Sequence, residues 1–438
     1  MAGQAMIAAL LPLIDGLAII GAFGLAVFAA NHLRLVARHG PVARALLATP
    51  PQPLAIGATE ALPRIAVQIP LFNEPASVAG ALRAAAALDW PRDRLTIQIL
   101  DDSTDETPQI VAGLVAALRA DGHDVRHLRR ADRAGFKAGA LAAGMAATDA
   151  AFLAILDADH RAPSDWLRRA MTLLDADQQI AFAQFRFEFV NRDRNTLTRF
   201  QQLLTDSHFV IEQVGRMSAG EPFQFNGTAA VWRRSAIEAA EGWSADTLAE
   251  DLDLVLRVYE AGGRGTLALS PPVLCEAPET LAAWRTQQQR WSQGFSQAAV
   301  KLMPRLWRTG WPLSRKLGAS LLLGLQAALP CALLALGGLL LDILLRGGPT
   351  VAHAALILLA AVSGLVVLVA ITWPAHRALK RGSRLDYLRT LLALPPLLGL
   401  LALSATPAIL AGLTGRRAGF VRTPKAGDAA AGSAIGKE

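Results

Sequence analysis

Cysteine is nearly absent: the 438 residues contain two, Cys275 and Cys331, far apart in the chain. Such a pair supports neither a disulfide framework nor a zinc site, whose ligands recur at short spacings. Charge is scarce as well, at 18% of residues, and thins almost to nothing over four long stretches. No G-x-x-x-x-G-K-[ST] loop occurs, which argues against a P-loop nucleotide hydrolase. There is no evident internal repeat, coiled coil or basic–aromatic recognition motif, so the net charge of +7 does not point to nucleic acid.

Apolar residues fill the place of charge, at 53% of the chain. Residues 6–30 carry one charge (Asp15), 317–345 carry one (Asp342), 351–373 carry none, and 386–413 are mostly apolar after Arg389. Each stretch is long enough to cross hydrocarbon about 30 Å thick, which takes about 20 apolar residues. The chain therefore reads as a multi-pass membrane protein. No basic residue precedes the first run, and the run exceeds the ~7–15 residues of a signal-peptide core, so an uncleaved anchor over 1–36 is expected. Arg34, Arg38 and Arg44 follow it; the positive-inside rule puts the next domain in the cytoplasm, on a cytoplasmic (inner) membrane. Juxtamembrane arginines facing anionic lipid also account for the net positive charge. Residues 37–62 are expected to form a linker, 317–413 a set of transmembrane or interfacial helices, and 414–438 a tail.

Between 63 and 316 the pattern changes. Apolar runs at 64–72, 95–102, 151–159 and 180–189 alternate with alanine-rich helical stretches, which predicts an α/β domain with a largely parallel sheet. Ligands bind such sheets beyond the carboxyl ends of the strands. Two of the four strands end in paired acids: Asp101 and Asp102 in "ILDDSTDET", and Asp157 and Asp159 in "ILDADH". A single acidic strand exit is most often an ordinary helix-capping turn. Two in one sheet favour a site, and carboxylates at i and i+2 can share a hard cation such as Mg²⁺ or Mn²⁺. Arg133 and Lys137 stand just ahead of a helix, where a cation could neutralise a diphosphate, although a solvated basic turn would look the same. Glu250, Asp251 and Asp253 open an amphipathic helix; the helix dipole alone favours acids there, while a general base is the functional alternative.

Taken in order, the acidic pair, the D-x-D, the Glu-Asp of "LAEDLD" and the Q-x-x-R-W of "QQQRW" resemble the processive family 2 glycosyltransferases, and "FNGTAAVWRRSAI" and "GFKAGAL" look most like the mannan-synthase-like branch of the cellulose-synthase-like enzymes. The similarity covers roughly residues 60–425. It implies a GT-A-type, Rossmann-like catalytic domain joined to transmembrane helices. It also implies roles: Asp101, Asp102, Lys137 and Arg290 on the nucleotide donor, Asp157 and Asp159 on the metal, Asp251 with Glu250 at the catalytic base. Asn226, Gly227, Thr228, Gln287 and Trp291 would face the acceptor. Ala249 stands where the family usually has Thr before Glu-Asp, and both acids are kept. "GFVRTPKAG" resembles the gating loop of cellulose synthase, with Phe420, Thr423 and Lys425 at matching positions and Arg422 where that motif has Val.

The expected activity is inverting transfer of a hexose from UDP-glucose or GDP-mannose to a β-linked polysaccharide. Transfer to a membrane lipid, and a transporter with an inactive transferase-like domain, are the alternatives. A slim membrane part implies a partner subunit or homo-oligomer if a polymer is threaded. One conflict stands: a cytoplasmic gating loop requires an even number of crossings after the domain, and three apolar segments are counted. Pro395, Pro396 and Pro407 in 386–413 leave open a segment that lies at the interface or re-enters.

Overall fold

The computed structural model describes residues 2–55 and 62–415. The first helix, α1 (Ala2–Ala48), runs through residues 37–48, which the sequence assigned to a linker. The α/β domain then follows as β1 (Ile65–Leu71), α2 (Pro75–Ala86), β2 (Leu95–Asp101), α3 (Thr107–Ala120), β3 (Asp124–Arg129), α4 (Phe136–Ala146), β4 (Phe152–Ile155), α5 (Trp166–Asp175) and β5 (Ile180–Phe189). Next come α6 (Thr196–Ser207), a π-helical turn His208–Gln213, α7 (Val214–Ser218), β6 (Ala230–Arg233), α8 (Arg234–Ala239), α9 (Glu250–Glu260) and β7 (Arg264–Cys275). The C-terminal part is helical: α10 (Leu281–Arg308), α11 (Leu313–Leu323), α12 (Ala328–Leu345), α13 (Val351–Ala378) and α14 (Arg384–Leu413).

Seven strands form one sheet in the order β3-β2-β1-β4-β6-β5-β7, with β6 antiparallel to both neighbours and the other pairings parallel. Burial on both faces explains the largely apolar runs of β1, β2 and β4, in which buried Gln68 of β1 donates to Gln98 of β2 (2.9 Å). The chain steps outward from β1 through β2 to β3, then returns to place β4 on the other side of β1. That reversal opens a crevice at the carboxyl ends of β1 and β4, where ligands bind in doubly wound sheets.

Among the described residues, four helices are long and apolar enough to cross a membrane: Ala9–Ala48, Leu325–Leu345, Val351–Ala378 and Arg384–Leu413. The expected continuous stretch 317–345 is broken at Gly324, where a 3₁₀ turn (Leu325–Ala327) separates α11 from α12. α11 belongs to the domain: Ala319, Leu322 and Leu323 pack with Leu252 and Leu256 of α9 and Leu302 and Leu306 of α10. α12 lies against the N-terminal half of α1 at close range, because the crossing is built of small residues. A Cβ on Gly21 would sit 2.6 Å from the Cys331 carbonyl, and one on Gly338 2.8 Å from Ala18 Cβ. Arg346 ties the far end of this pair to Asp15 at 3.3 Å.

α14 behaves differently. Its first turns pack beside α13, where the Tyr387 hydroxyl lies 2.9 Å from Thr372 Oγ1, and against Phe200 and Trp284 of the domain. It then follows α10 in the same direction: Gln289 Nε2 donates to the Ser404 carbonyl (2.9 Å), and a Cβ on Gly412 would come within 2.6 Å of the Gln293 carbonyl. A third of its most apolar window is buried (33%), against 11% or less in the other three. Despite three internal prolines, α14 is one unbroken helix.

Two ionic staples fasten these helices to the domain. Arg34 of α1 donates to Glu221 (2.6 Å), which also faces fully buried Arg216 (3.6 Å), while Arg216 donates to the Gly318 carbonyl of α11 (2.8 Å). Arg381, in the turn between α13 and α14, donates to both Glu188 (2.6 and 2.7 Å) and Asp206 (2.8 and 2.9 Å).

Candidate active site

The crevice at the ends of β1 and β4 is lined by acids that the local sequence places there. β4 ends at Ile155, and the turn after it carries Asp157, Ala158, Asp159 and His160. The Asp157 amide donates to Thr228 Oγ1 (2.9 Å), so the β4 exit is locked to the loop before β6. One ligand atom from each of Asp157, Asp159 and His160 lies within 4.8 Å of the others. Two carboxylates and an imidazole suit a divalent ion such as Mn²⁺ or Mg²⁺. His160 Nε2 is buried and has no hydrogen-bond partner among the described residues, which is consistent with a place for a further ligand. Sequence reasoning missed His160, although its position directly after D-x-D was the available signal.

Lys137, in the first turn of α4, donates to Asp157 (2.6 Å) and to the Gly227 carbonyl (2.9 Å). Burial disfavours its charge, but Asp157, Glu250 and Asp251 more than offset this and its pKa is raised. Gly227 is required here: its φ is +74°, and a Cβ would lie 3.2 Å from Asp251 Oδ2 and 3.4 Å from Lys137 Nζ. Ala229, two residues on, also has positive φ (55°), a strained conformation held by its buried surroundings.

Asp251 stands on the first turn of α9 and accepts from the Leu252 amide (2.7 Å). Burial, reinforced by the adjacent Glu250, raises its pKa to about 7; burial also raises that of Glu250, against the pull of Lys137 and Arg290. A carboxylate near neutrality is matched to general-base work. Asp253, the third acid of the motif, is committed elsewhere: it is buried between Arg257 (2.6 Å) and Lys301 (2.7 Å).

α10 carries the Q-x-x-R-W motif and grips the start of α9, which bears Asp251, from behind. A Cβ on Gly294 would lie 2.8 Å from the backbone of Leu248, Gln297 accepts from the Leu248 amide (2.9 Å), and Lys301 holds Asp253. Arg290 faces Glu250, Asp157, Asp251 and Glu74; burial nevertheless lowers its pKa. Gln287 is half-buried on the same helix, and Trp291 is 45% exposed. The expected acceptor residues Asn226 and Thr228 are engaged within the protein. Asn226 accepts from Gln213 Nε2 (2.9 Å) and its amide nitrogen lies 3.0 Å from His208 Nε2, which ties it to the π-helical turn.

Asp101 and Asp102 are likewise bound by protein groups. Asp101 is buried, accepts from the Ser103 amide (2.9 Å) and lies 2.8 Å from His127 Nε2. Asp102 receives a two-pronged contact from Arg130 (2.9 and 2.5 Å). Phe420, Thr423 and Lys425 lie outside the described residues.

The fold and the site together define a GT-A glycosyltransferase domain carrying apolar helices of membrane-spanning length. The glycosyl transferase family group 2 model matches residues 152–373, about half the chain, and the chain belongs to that family. It is 40% identical over 247 residues to a probable glucomannan 4-beta-mannosyltransferase 11 of Oryza sativa subsp. japonica (56% of this chain, 43% of that protein). It is also 40% identical over 250 residues to glucomannan 4-beta-mannosyltransferase 2 of Arabidopsis thaliana (56% and 47%). The matches thus span less than half the length of these curated relatives. Among solved structures, the mannosyltransferase PcManGT from Pyrobaculum calidifontis, in complex with GDP-Man and Mn²⁺, shares the fold with a TM-score of 0.59 at 20% identity, covering 91% of this chain and 99% of that one.

Proposed function

We propose that the protein is a membrane-bound inverting mannosyltransferase that takes mannose from GDP-mannose and extends a β-linked mannan or glucomannan. The observation that carries this reading is the meeting at Gly227. Within contact of one missing methyl group stand a carboxylate tuned to about 7 and a lysine bound to Asp157 of the D-x-D. The similarity to glucomannan 4-beta-mannosyltransferases supports mannose as the sugar.

Asp251 takes the proton of the acceptor hydroxyl as its oxygen bonds to the anomeric carbon. The bond from that carbon to the diphosphate oxygen breaks, and the electron pair leaves with the diphosphate. One base and no protein nucleophile is a single displacement, turning an α-linked donor into a β-linkage. Asp157, Asp159 and His160 would hold a Mn²⁺ or Mg²⁺ ion, which when bound neutralises charge on the leaving diphosphate. Lys137 and Arg290 meet the same growing charge from the protein side. Trp291 offers an exposed aromatic face for the acceptor sugar, with Gln287 one turn earlier. The catalytic domain faces the cytoplasm. α1, α12 and α13 cross the bilayer, while α14 rests along the catalytic side, giving the even count that the tail requires.

The test is release of nucleoside diphosphate by the purified full chain supplied with GDP-mannose, UDP-glucose and related donors, each with Mg²⁺ or Mn²⁺ and oligosaccharide acceptors. GDP-mannose is expected to turn over and to yield polymer sensitive to β-mannanase. Product that partitions into organic solvent would favour a lipid acceptor, and no turnover with any donor would refute the enzyme.

A further inference from the structure

The π-helical turn His208–Gln213 interrupts a helical run that otherwise continues from α6 into α7, and the interruption is aimed at one side chain. In an α-helix, residues five apart point about 140° away from one another. The wider i→i+5 winding brings His208 and Gln213 to the same side, and both reach Asn226. Asn226 directly precedes Gly227, which lies against Asp251 and Lys137. Single π-helical turns inside α-helices are frequent at functional sites.

The main chain dictates the direction of every hydrogen bond in this group. Buried Gln213 accepts from the Gln224 amide through Oε1 (2.9 Å) and donates to the Gln224 carbonyl through Nε2 (2.7 Å). Neither contact survives an exchange of the oxygen and the nitrogen, so Gln213 offers Asn226 a donor. Asn226 must then turn Oδ1 to Gln213 (2.9 Å) and its amino group to His208 Nε2 (3.0 Å). Facing a donor, Nε2 has to accept, which puts the ring proton on Nδ1. Nδ1–H donates to Glu212 Oε2 (3.0 Å), and the other Glu212 oxygen accepts from Arg216 Nε (3.3 Å). The Asn226 amide donates to buried Gln184 (3.1 Å), so the residue is fixed at three points. We infer that His208, with its proton on Nδ1, is a positioning residue of the transfer site: it holds Asn226, and through it the Gly227 peptide whose carbonyl receives Lys137. The left-handed conformations of Gly227 and Ala229 give the loop a reason to need such holding. Lys137 and Asp251 act on charge that develops in the transition state, so a displaced loop should cost turnover more than donor binding.

The inference deepens the transferase reading and rests on it; two measurements keep their failures apart. Nitrogen NMR of the full chain in detergent, labelled at the histidine rings and assigned against His208→Gln, should show Nδ1 protonated and Nε2 bare at pH 8. GDP release from GDP-mannose is then followed for wild type, His208→Gln and His208→Phe, with thermal melting of each. Glutamine can place its amide oxygen where Nε2 stood, so kcat should stay within about threefold of wild type. Phenylalanine keeps the ring and loses the acceptor. Its kcat should fall about ten- to one-hundred-fold, as a small misplacement of reacting groups does, while KM for GDP-mannose moves less than about threefold. Should His208→Phe fail to fold, the ring-proton measurement and His208→Gln decide. A ring protonated on Nε2, full kcat in His208→Phe, a loss in folded His208→Gln as large as that expected of His208→Phe, or a loss confined to KM would overturn the positioning role and leave the transferase intact. A wild type that turns over no donor overturns both.

Discussion

The charge environment of Asp251 makes a prediction with a sign at every step. Burial and then Glu250 push its pKa up, the Leu252 amide and Lys137 pull it down, and the balance lies at about 7. Only the ionised form accepts a proton, so kcat/KM should fall about tenfold per pH unit below that pKa. Replacing Glu250 by Gln removes the like charge, and the acidic limb should move to lower pH. Replacing Lys137 by Met removes the opposite charge, and the limb should move to higher pH. Each shift is expected to be about one unit, the lower end of the range for a close charge. The assay is GDP release at saturating metal from pH 5 to 9, with kcat/KM fitted to the acidic limb. A limb unmoved in Glu250→Gln, or moved upward, would refute Asp251 as the titrating base. Stability supplies an independent check through linkage. The folded-state pKa is raised, so the fold holds a proton that the unfolded chain loses near 4. Stability from this group is full below that pH and falls as pH rises to about 7. Asp251→Asn should therefore melt above wild type at pH 8, by up to a few kcal/mol (about 2–4), and the advantage should vanish near pH 4 while activity is lost throughout.

Other contacts can be tested in the same preparations. Gly227→Ala forces a methyl group against Asp251 and Lys137 in a left-handed conformation; a loss of about 1–2 kcal/mol in thermal melts is expected, with a fall in kcat much larger than that stability change implies. Glu221→Gln removes the carboxylate shared by Arg34 and buried Arg216 and leaves Arg216 with Glu212 (3.3 Å), so detergent-solubilised protein should lose about 1–3 kcal/mol in denaturation. Thr414→Cys, with native Cys275 and Cys331 replaced, should react with a membrane-impermeant maleimide from the side that labels the catalytic domain; labelling only from the opposite side would show that α14 crosses.

Much of this was legible in the sequence, and what was hidden had physical reasons. Apolar runs disclosed β1, β2, β4 and β5 because buried strands of a parallel sheet leave no polar face to dilute the signal. β3 ("DVRHLR") lies at the sheet edge and is largely polar, β6 is four residues long, and β7 contains Pro271 and Pro272, so none announced itself. The D-x-D and the Glu-Asp pair were visible as local motifs. The partners of Asp101 and Asp102 were not, since His127 and Arg130 approach from 26 and 28 residues away through pairing of β2 with β3. The course of α14 was equally hidden. Hydropathy reports length and composition, whereas the neighbour that holds this helix, α10, lies more than a hundred residues upstream.

The grip of α10 on residues 248–253 has a consequence for how such enzymes can be altered. On the proposed function, the acceptor face at Trp291 and the base Asp251 are joined through the contacts of α10 with residues 248–253. A change that shifts α10 at Trp291 is then expected to disturb Leu248, which Gly294 and Gln297 of the same helix touch, and with it Asp251. Grafting the α10 segment of a relative onto this chain should then fail unless residues 248–253 travel with it, and succeed when they do. If the graft behaves so, the unit that sets acceptor choice is a pair of segments some forty positions apart, which a scan for adjacent co-varying sites would overlook.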